Sequence, residues 1–435
     1  MMINRYYWAI CMACVFSLCV KAQQESVFLS SYRQQVLDYN HRLKSAGYTE
    51  NIADKNVNSA RAGFLPQISA EADMGYVVNP SEFSGRLTTY DIPFSIQGRH
   101  TKYGASLVLT QPLYTGGALK AGYRKARKEM ESARYETQRV RNDVVYDADV
   151  YYWKYVAQKE LSDVAGRYCH SVGQLVDLVR SRVEAGYSDR NDLLMSEVKL
   201  NEAEYQFLRA ENNVETARMA LNSFAGIDFS KQLATDSVVL LLKEAGEPVL
   251  VSEVLEQRPE IGMVQNEIEI SRYDARIANA VYKPQFSIGM EGSYASPGYD
   301  FRADLDPNYA VFAKLTVPIY EWGKRKNTKN IGQYKTKIAE ENRNRVVDEV
   351  TLEISTAQYD YRQAVEKVKL TESSLQKAQE SEMLALDRYK EGRISIVEVI
   401  NAQLYHQQAA VNYIQSKYEA CIALSHVERA IGTVR

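Results

Sequence analysis

The chain has 435 residues, a formal net charge of −2, 45% hydrophobic residues and 25% charged residues. The ordinary apolar fraction excludes a collagen-like repeat, low complexity and bulk disorder, and the near-neutral charge gives no indication of nucleic-acid binding, which favours a basic face. Two features are unusual, namely 31 tyrosines and two windows without proline, 113–247 and 319–435.

Residues 1–22 are predicted to be a signal peptide. A basic start around Arg5 precedes a short apolar stretch, and Val20 and Ala22 stand at −3 and −1 of a cleavage site before Gln23. A lipoprotein signal at Cys19 or Cys14 is the alternative, although the bulky leucine before Cys19 disfavours it. No later apolar run approaches the ~20 residues of a helical membrane span.

The rest of the chain is an internal duplication. Gln111–Gly117 aligns with Val317–Gly323 at an offset of 206, and the same offset pairs further residues without a gap as far as Gly226 and Gly432. We therefore divide the chain into a first repeat at 23–226, a linker at 227–250 and a second repeat at 251–435. The first repeat has twelve extra residues, which fall in 79–100, a segment rich in Gly, Pro, Ser and Thr that we expect to be a loop.

Each repeat contains two segments with the alternation of β-strands. They lie at about 64–78 and 101–114 in the first repeat, and at about 284–295 and 308–320 in the second. One face is apolar and the other is small or acidic, with Glu71, Asp73 and Glu291 as the acids. This is the lipid-out, lumen-in pattern of an outer-membrane barrel, although a half-buried soluble sheet alternates in the same way.

If these strands span a membrane, several chains must share them. Four strands do not close a barrel, and an open sheet edge is not tolerated in lipid. Two chains would give eight strands, whose interior is filled by side chains. A conduit therefore requires at least three chains and twelve strands.

Long helical hairpins follow the strands, at about 118–225 and 324–432, with tips near 186–192 and 392–398. The windows lack proline, which breaks helices. In the first hairpin, residues from Leu193 to Leu221 recur every seven positions beside a second heptad column of small residues from Ser196 to Ala217. A narrow coiled-coil-like seam on otherwise polar helices suits the wall of a hollow bundle.

Together, these features resemble the TolC outer-membrane factor family. The resemblance covers nearly the whole mature chain and rests most specifically on the two glycine turns, Gln111–Gly117 and Pro318–Gly323, and on the repeat spacing. It implies a mainly α fold with a small β part, and a homotrimer with a twelve-stranded outer-membrane β-barrel above a periplasmic α-barrel. The location would be the outer membrane of a Gram-negative bacterium, with a large periplasmic extension and an equatorial insert at 227–250.

The resemblance also implies a function and partners. The expected function is a passive exit duct for drugs, toxic small molecules or proteins. It would act with a periplasmic adaptor and an inner-membrane pump of the resistance–nodulation–division or the ATP-driven class. The alternative from another class is a non-transporting coiled-coil protein of the periplasm or cell surface, which would have no use for two amphipathic strand pairs at matching places.

The hairpin tips are the expected functional ends. By resemblance they form the periplasmic mouth and the adaptor-docking surface, with four docking candidates: Arg182, Gly186, Arg388 and Gly392. Asp192, Glu398 and Asn401 are the pore candidates. Members of the family often have an acid at both of the last two positions. This chain has one acid there, Glu398, and an asparagine, Asn401, at the other position. Ser395–Glu398 also fits a capping box, and Asp189–Asp192 a similar helix start, which gives both acids a structural alternative.

Enzyme chemistry is not expected. The five histidines show no metal-ligand spacing, and the chain has no phosphate loop, nucleophile elbow or His-Glu-x-x-His motif. The sequence therefore predicts no catalytic residue, no cofactor and no metal site.

Overall fold

The computed structural model describes residues 27–239, 254–296 and 304–432, apart from 88 and 90. The predicted signal peptide and residues 240–250 of the predicted linker lie outside the described residues. The chain forms two compact units. The hairpin unit comprises Met1–Gly47, Glu136–Ile261 and Val346–Arg435, and the sheet unit comprises Tyr48–Tyr135 and Gly262–Arg345.

Helices make up most of the described chain. In chain order they are α1 Val27–Tyr39, α2 His41–Ala62, α3 Ala118–Glu184, α4 Arg190–Ala225, α5 Pro259–Ala280, α6 Lys324–Lys390 and α7 Ile396–Ile431. The helices α3 and α6 have 67 residues each, and α4 and α7 have 36 each, so that the two repeats form hairpins of equal size. None of the helices in the described ranges has both the length and the apolar character needed to cross a membrane.

The sheet unit holds a four-stranded antiparallel sheet in the order β1-β4-β5-β6. Its strands are β1 Gln67–Tyr76, β4 Thr101–Thr115, β5 Gln285–Ser296 and β6 Asp306–Thr316. Two prolines set the ends of strands: β1 and β5 begin directly after Pro66 and Pro284, which have no N–H to donate. The last strand was expected to reach residue 320, but it ends at Thr316, where its partner β5 begins at Gln285.

The expectation of a loop at 79–100 was wrong. This segment contains two further strands, β2 Glu82–Leu87 and β3 Ile92–Gln97, which pair with each other as a separate antiparallel hairpin. The rings of Phe83 and Phe94 lie 5.9 Å apart on it. Turn-forming residues lie around the two short strands and also within them, as Gly85 and Pro93 do, and cross-strand aromatic contacts stabilise such pairs.

The core of the hairpin unit lies where α3 packs against α1, α4 and α7. Trp153 and Val156 of α3, Val36 of α1 and Leu221 of α4 are almost completely buried there. The hydroxyl of Tyr32 donates to the Leu221 carbonyl at 2.9 Å. Three residues of the small column of α4 are buried, namely Ser196, Ala203 and Ala217, and Ala217 belongs to this core.

A buried ion pair fixes α1 to α3. Arg33 donates from Nε and Nη2 to the two carboxylate oxygens of Asp149, both at 2.7 Å, and both side chains are less than a tenth exposed. Such a bidentate pair is geometrically specific. It therefore sets the register of the short N-terminal helix on the long one.

Candidate functional site: the hairpin tips

The first tip is a tight helix end followed by a capped helix start. Gly186 adopts φ +77°. Its N–H donates to the Val183 carbonyl at 3.0 Å, and the Tyr187 N–H donates to the Arg182 carbonyl at 2.8 Å. This pair of bonds is the Schellman motif, which favours glycine at the left-handed position. Asp189 then caps α4 by accepting from the Asn191 N–H at 3.3 Å.

The second tip repeats this construction 206 residues later. Gly392 has φ +73°, its N–H donates to the Tyr389 carbonyl at 2.9 Å, and the Arg393 N–H donates to the Arg388 carbonyl at 2.9 Å. The matching glycines of the two repeats are therefore required by the same backbone turn, whatever else they do.

Arg182 joins the two tips. Its Nη1 donates to the carbonyl of Tyr389 at 2.9 Å and to that of Lys390 at 3.2 Å, and its guanidinium lies 4.9 Å from the centre of the Tyr389 ring. It thereby gives the Tyr389 carbonyl a second donor besides the Gly392 N–H and supplies a donor to the Lys390 carbonyl at the end of α6, where carbonyls have no partner within the helix. A Cβ on Gly392 would lie 3.5 Å from its Nη2, so that the guanidinium fits against the turn. Sequence reasoning missed this link.

An apolar cluster lies beside this link. Leu175 and Val179 of α3 pack with Tyr389 of α6 and with Ile396 and Val399 of α7, and all five are buried. The second tip is thus held against the first by apolar burial as well as by Arg182.

A polar network joins the hairpins farther from the tips. Gln403 of α7 donates to the Ser171 hydroxyl of α3 at 2.9 Å, and this hydroxyl donates to Glu382 Oε1 of α6 at 3.2 Å. The Nδ1 of His406 contacts the other oxygen of Glu382. The sequence did not predict this contact, because the histidine and its acidic partner lie on different helices.

The three pore candidates differ in their surroundings. Glu398 is exposed, and its Oε1 accepts from the Ser395 N–H at 3.2 Å, which is the capping interaction anticipated from the sequence. Asn401 lies one turn further on α7 and is also exposed. Asp192 is half-buried and accepts from the Ser188 hydroxyl at 2.7 Å. Within the described ranges, no hydrogen bond or ion pair joins Asp192 to Glu398 or to Asn401.

The three acids proposed for the lumen lie on one face of the sheet. Glu71 is opposite Ser106, which is opposite Ser293, and Glu291 is opposite Val108, which is opposite Ser69. Side chains alternate between faces, so this register places Glu71, Asp73 and Glu291 on the same side. The other side carries rows such as Ile68, Leu109, Met290 and Val311.

Comparison with known proteins decides the family. The outer membrane efflux protein family matches residues 32–226 and 250–433, which is most of the chain. The chain belongs to the outer membrane efflux protein family. Membership confirms the resemblance to TolC-like outer-membrane factors and the predicted outer-membrane location. Family members are channel proteins, and the alternative of a non-transporting coiled-coil protein is not supported.

Individual members of the efflux family are distant in sequence. The chain is 19% identical to the outer membrane protein TolC of Vibrio cholerae, over 93% of this chain and 91% of TolC. It is 23% identical to the pyoverdine export outer membrane protein OpmQ of Pseudomonas aeruginosa, over 91% and 84% of the two chains. The structure of the Campylobacter jejuni CmeC outer membrane channel matches with a TM-score of 0.76 at 18% identity, over 93% and 86% of the two chains. This likeness confirms the predicted mainly helical fold with a four-stranded sheet.

Proposed function

We propose that three copies of this chain form the exit duct of a tripartite export system. The four-stranded sheets would close into a twelve-stranded barrel in the outer membrane, and the helical hairpins would form a periplasmic α-barrel. The observation that carries this proposal is the sheet, which has an acidic face, an exposed apolar face and two edges that no described strand of the chain pairs with.

The apolar face of the sheet fits lipid. Met74 and Val311 are 84% and 83% exposed, and Ile68, Leu107 and Tyr309 are also mostly exposed. An apolar face of this kind is a liability in water, whereas strands of outer-membrane barrels turn such a face to the hydrocarbon. The opposite face, with Glu71, Asp73 and Glu291, would then line an aqueous lumen.

The edges of the sheet supply the argument for several chains. Within the described residues, β1 pairs only with β4, and β6 only with β5. Unpaired backbone groups are too costly in hydrocarbon, so β6 of one chain would pair with β1 of the next. Because an eight-stranded barrel is filled by its own side chains, three chains rather than two give a conduit.

The hairpin tips would form the periplasmic mouth and dock on a periplasmic adaptor, which connects the duct to an inner-membrane pump. Arg388 and Glu398 are exposed at the second tip and are available for these roles. Arg182 is half-buried and bonded within the chain, so that its part in docking would be to hold the tip in shape. Passive export suits drugs, toxic small molecules or proteins as cargo, and OpmQ is named for the export of one small molecule, pyoverdine.

The proposal is tested with the purified full chain in detergent. Native mass spectrometry is expected to give the mass of a trimer. On a gel, heating is expected to convert this trimer to monomer. Planar bilayers are expected to conduct ions when the trimer is added. Heat-dissociated protein is the matched control. A monomer that keeps its full β-content, or a trimer that never conducts, would contradict the duct.

A further inference from the structure

The contact that Arg182 makes with the second tip has a counterpart related by the repeat. This counterpart would join Arg388 to the first tip, and it is not made within the described part of the chain. At the offset of 206 that relates the two hairpins, Arg388 in the second repeat corresponds to Arg182 in the first. The accepting residues Tyr389 and Lys390 of the second repeat correspond to Val183 and Glu184 of the first. Arg388 is exposed, and no hydrogen bond or ion pair of its side chain is present in the described part of the chain.

We infer that Arg388 reaches a second copy of this chain and caps the end of that copy's α3 at the carbonyls of Val183 and Glu184. The inference rests on the proposed trimer and deepens it, since it names the residues that join neighbouring copies at the tips. Backbone carbonyls are the acceptors, so the contact does not depend on the side chains that differ between the repeats. The carbonyl of Glu184 belongs to the last turn of α3, where carbonyls lack an intrahelical partner.

The charges favour a contact between copies. Arg182 bonds the backbone carbonyl of Lys390, whose ammonium pairs with Asp387 at 3.3 Å, whereas Arg388 would lie beside Glu184, which is exposed and makes no ion pair within the described ranges. A charge-assisted bond between a guanidinium and a carboxylate would add to the bonds with the carbonyls.

The glycine turns agree with this assignment. A Cβ on Gly392 would lie 3.5 Å from the guanidinium of Arg182, whereas a Cβ on Gly186 would have no described atom within 4 Å. The side of the first tip that corresponds to the Arg182 site is therefore open and has room for a guanidinium from a neighbour.

A pair of apolar residues independently shows the same correspondence between a contact within the chain and an open position on its surface. Leu178 and Ile400 both pack against the apolar cluster that joins the tips within the chain. Their counterparts at the offset of 206 are Leu384 and Leu194, and each of these is 50% exposed. When Leu384 of one copy packs against Leu194 of the next, both are covered. Both pairs place the second tip of one copy against the first tip of the next.

The test is a zero-length cross-link in the assembled protein. Arg388→Lys keeps the charge and gives an amine that a carbodiimide couples to a neighbouring carboxylate. Trimers are assembled from a mixture of light and isotopically heavy chains, so that peptides cross-linked between copies differ in mass from those within one copy. We expect a mixed light–heavy peptide that joins position 388 to Glu184, and its loss in the matched variant Arg388→Lys with Glu184→Gln.

A second measurement does not depend on the lysine. Arg388→Ala is expected to lower the temperature at which the trimer dissociates on a gel, while the helical content of the separated chains stays the same. Arg182→Ala, the control, removes a bond within one chain.

The outcomes separate this inference from the proposed function. A stable, conducting trimer without the mixed 388–184 peptide, or with unchanged dissociation of Arg388→Ala, would overturn the Arg388 contact and leave the duct standing. A wild-type chain that forms no trimer would overturn both.

Discussion

Glu398 has two possible roles at the second tip, and one substitution separates them. Its carboxylate accepts from the Ser395 N–H at 3.2 Å, and glutamine keeps an acceptor at the same place, as it does in other capping boxes. If three Glu398 carboxylates ring the mouth, Glu398→Gln removes charge where a narrow pore favours cations. We expect a lower cation preference in planar-bilayer recordings and unchanged thermal stability.

The matched variant for this prediction is Glu398→Ala, which removes the charge and the cap together. It is expected to show the same loss of selectivity and to lower the free energy of unfolding by about 0.5–2 kcal/mol, the range for lost helix caps. Equal ion selectivity in the wild type and Glu398→Gln would leave Glu398 with the capping role alone.

At the level of elements, the small column of α4 sets how closely α4 approaches α3. Ala203 is 1% exposed and packs with Tyr168 and Val172 of α3. Ala203→Leu would overfill this contact and is expected to cost about 1–3 kcal/mol per chain. Urea unfolding followed by circular dichroism measures this cost. Ala203→Ser is the control of nearly equal size, and a stability of Ala203→Leu equal to that of the wild type would show that the column is not closely packed.

A charge cluster ties the end of α7 to α6. Glu353 of α6 accepts from Arg258 Nη2 at 2.8 Å and from Arg429 Nη2 at 2.9 Å. Burial raises the pKa of Glu353, but the two arginines outweigh burial and hold this pKa below its ordinary value. Burial and Arg429 lower the pKa of His426, although Glu353 opposes them. The fold therefore favours the deprotonated form of both groups.

This cluster predicts a loss of stability in acid. Because both pKa values are lower in the folded state, the unfolded chain takes up protons first as the pH falls. The contribution of His426 is fully present above its ordinary pKa of 6.5 and is lost as the pH falls through its folded value. The contribution of Glu353 follows below 4.5. Urea midpoints between pH 8 and pH 4 should decline in this order, and His426→Gln should remove the first decline. A midpoint that rises from pH 7 to pH 5 would contradict the argument.

For the whole molecule, features that repeat along the chain could be predicted, and features that depend on which helix faces which could not. The offset of 206 and the proline-free windows predicted two equal hairpins, and the alternation of apolar and polar residues predicted the four strands. The bridge from Arg182 to Tyr389 joins residues 207 positions apart, and nothing in the spacing shows that α3 meets the end of α6. The strands β2 and β3 were missed because turn-forming residues dominate their segment, and local composition does not reveal cross-strand pairs.

The proposed orientation of the sheet in the membrane can be tested with two neighbouring residues of β6. Val311, at the centre of the strand, is 83% exposed on the apolar face, beside Met290. Ala310 is on the opposite face, beside Glu291. The two positions therefore lie at nearly the same depth and differ mainly in what they face.

Lysine at each position gives a matched pair. Val311→Lys would place a charge in hydrocarbon and is expected to cost about 2–4 kcal/mol per chain near the bilayer centre. Ala310→Lys would face water and the Glu291 carboxylate, so that we expect little loss or a slight gain. The free energy of folding into lipid vesicles, from urea titration of each purified variant, measures the difference, and the heat-modifiable trimer band reports assembly. If Ala310→Lys is the more damaging change, the apolar face is turned inward, and the lumen assigned to Glu71, Asp73 and Glu291 is wrong.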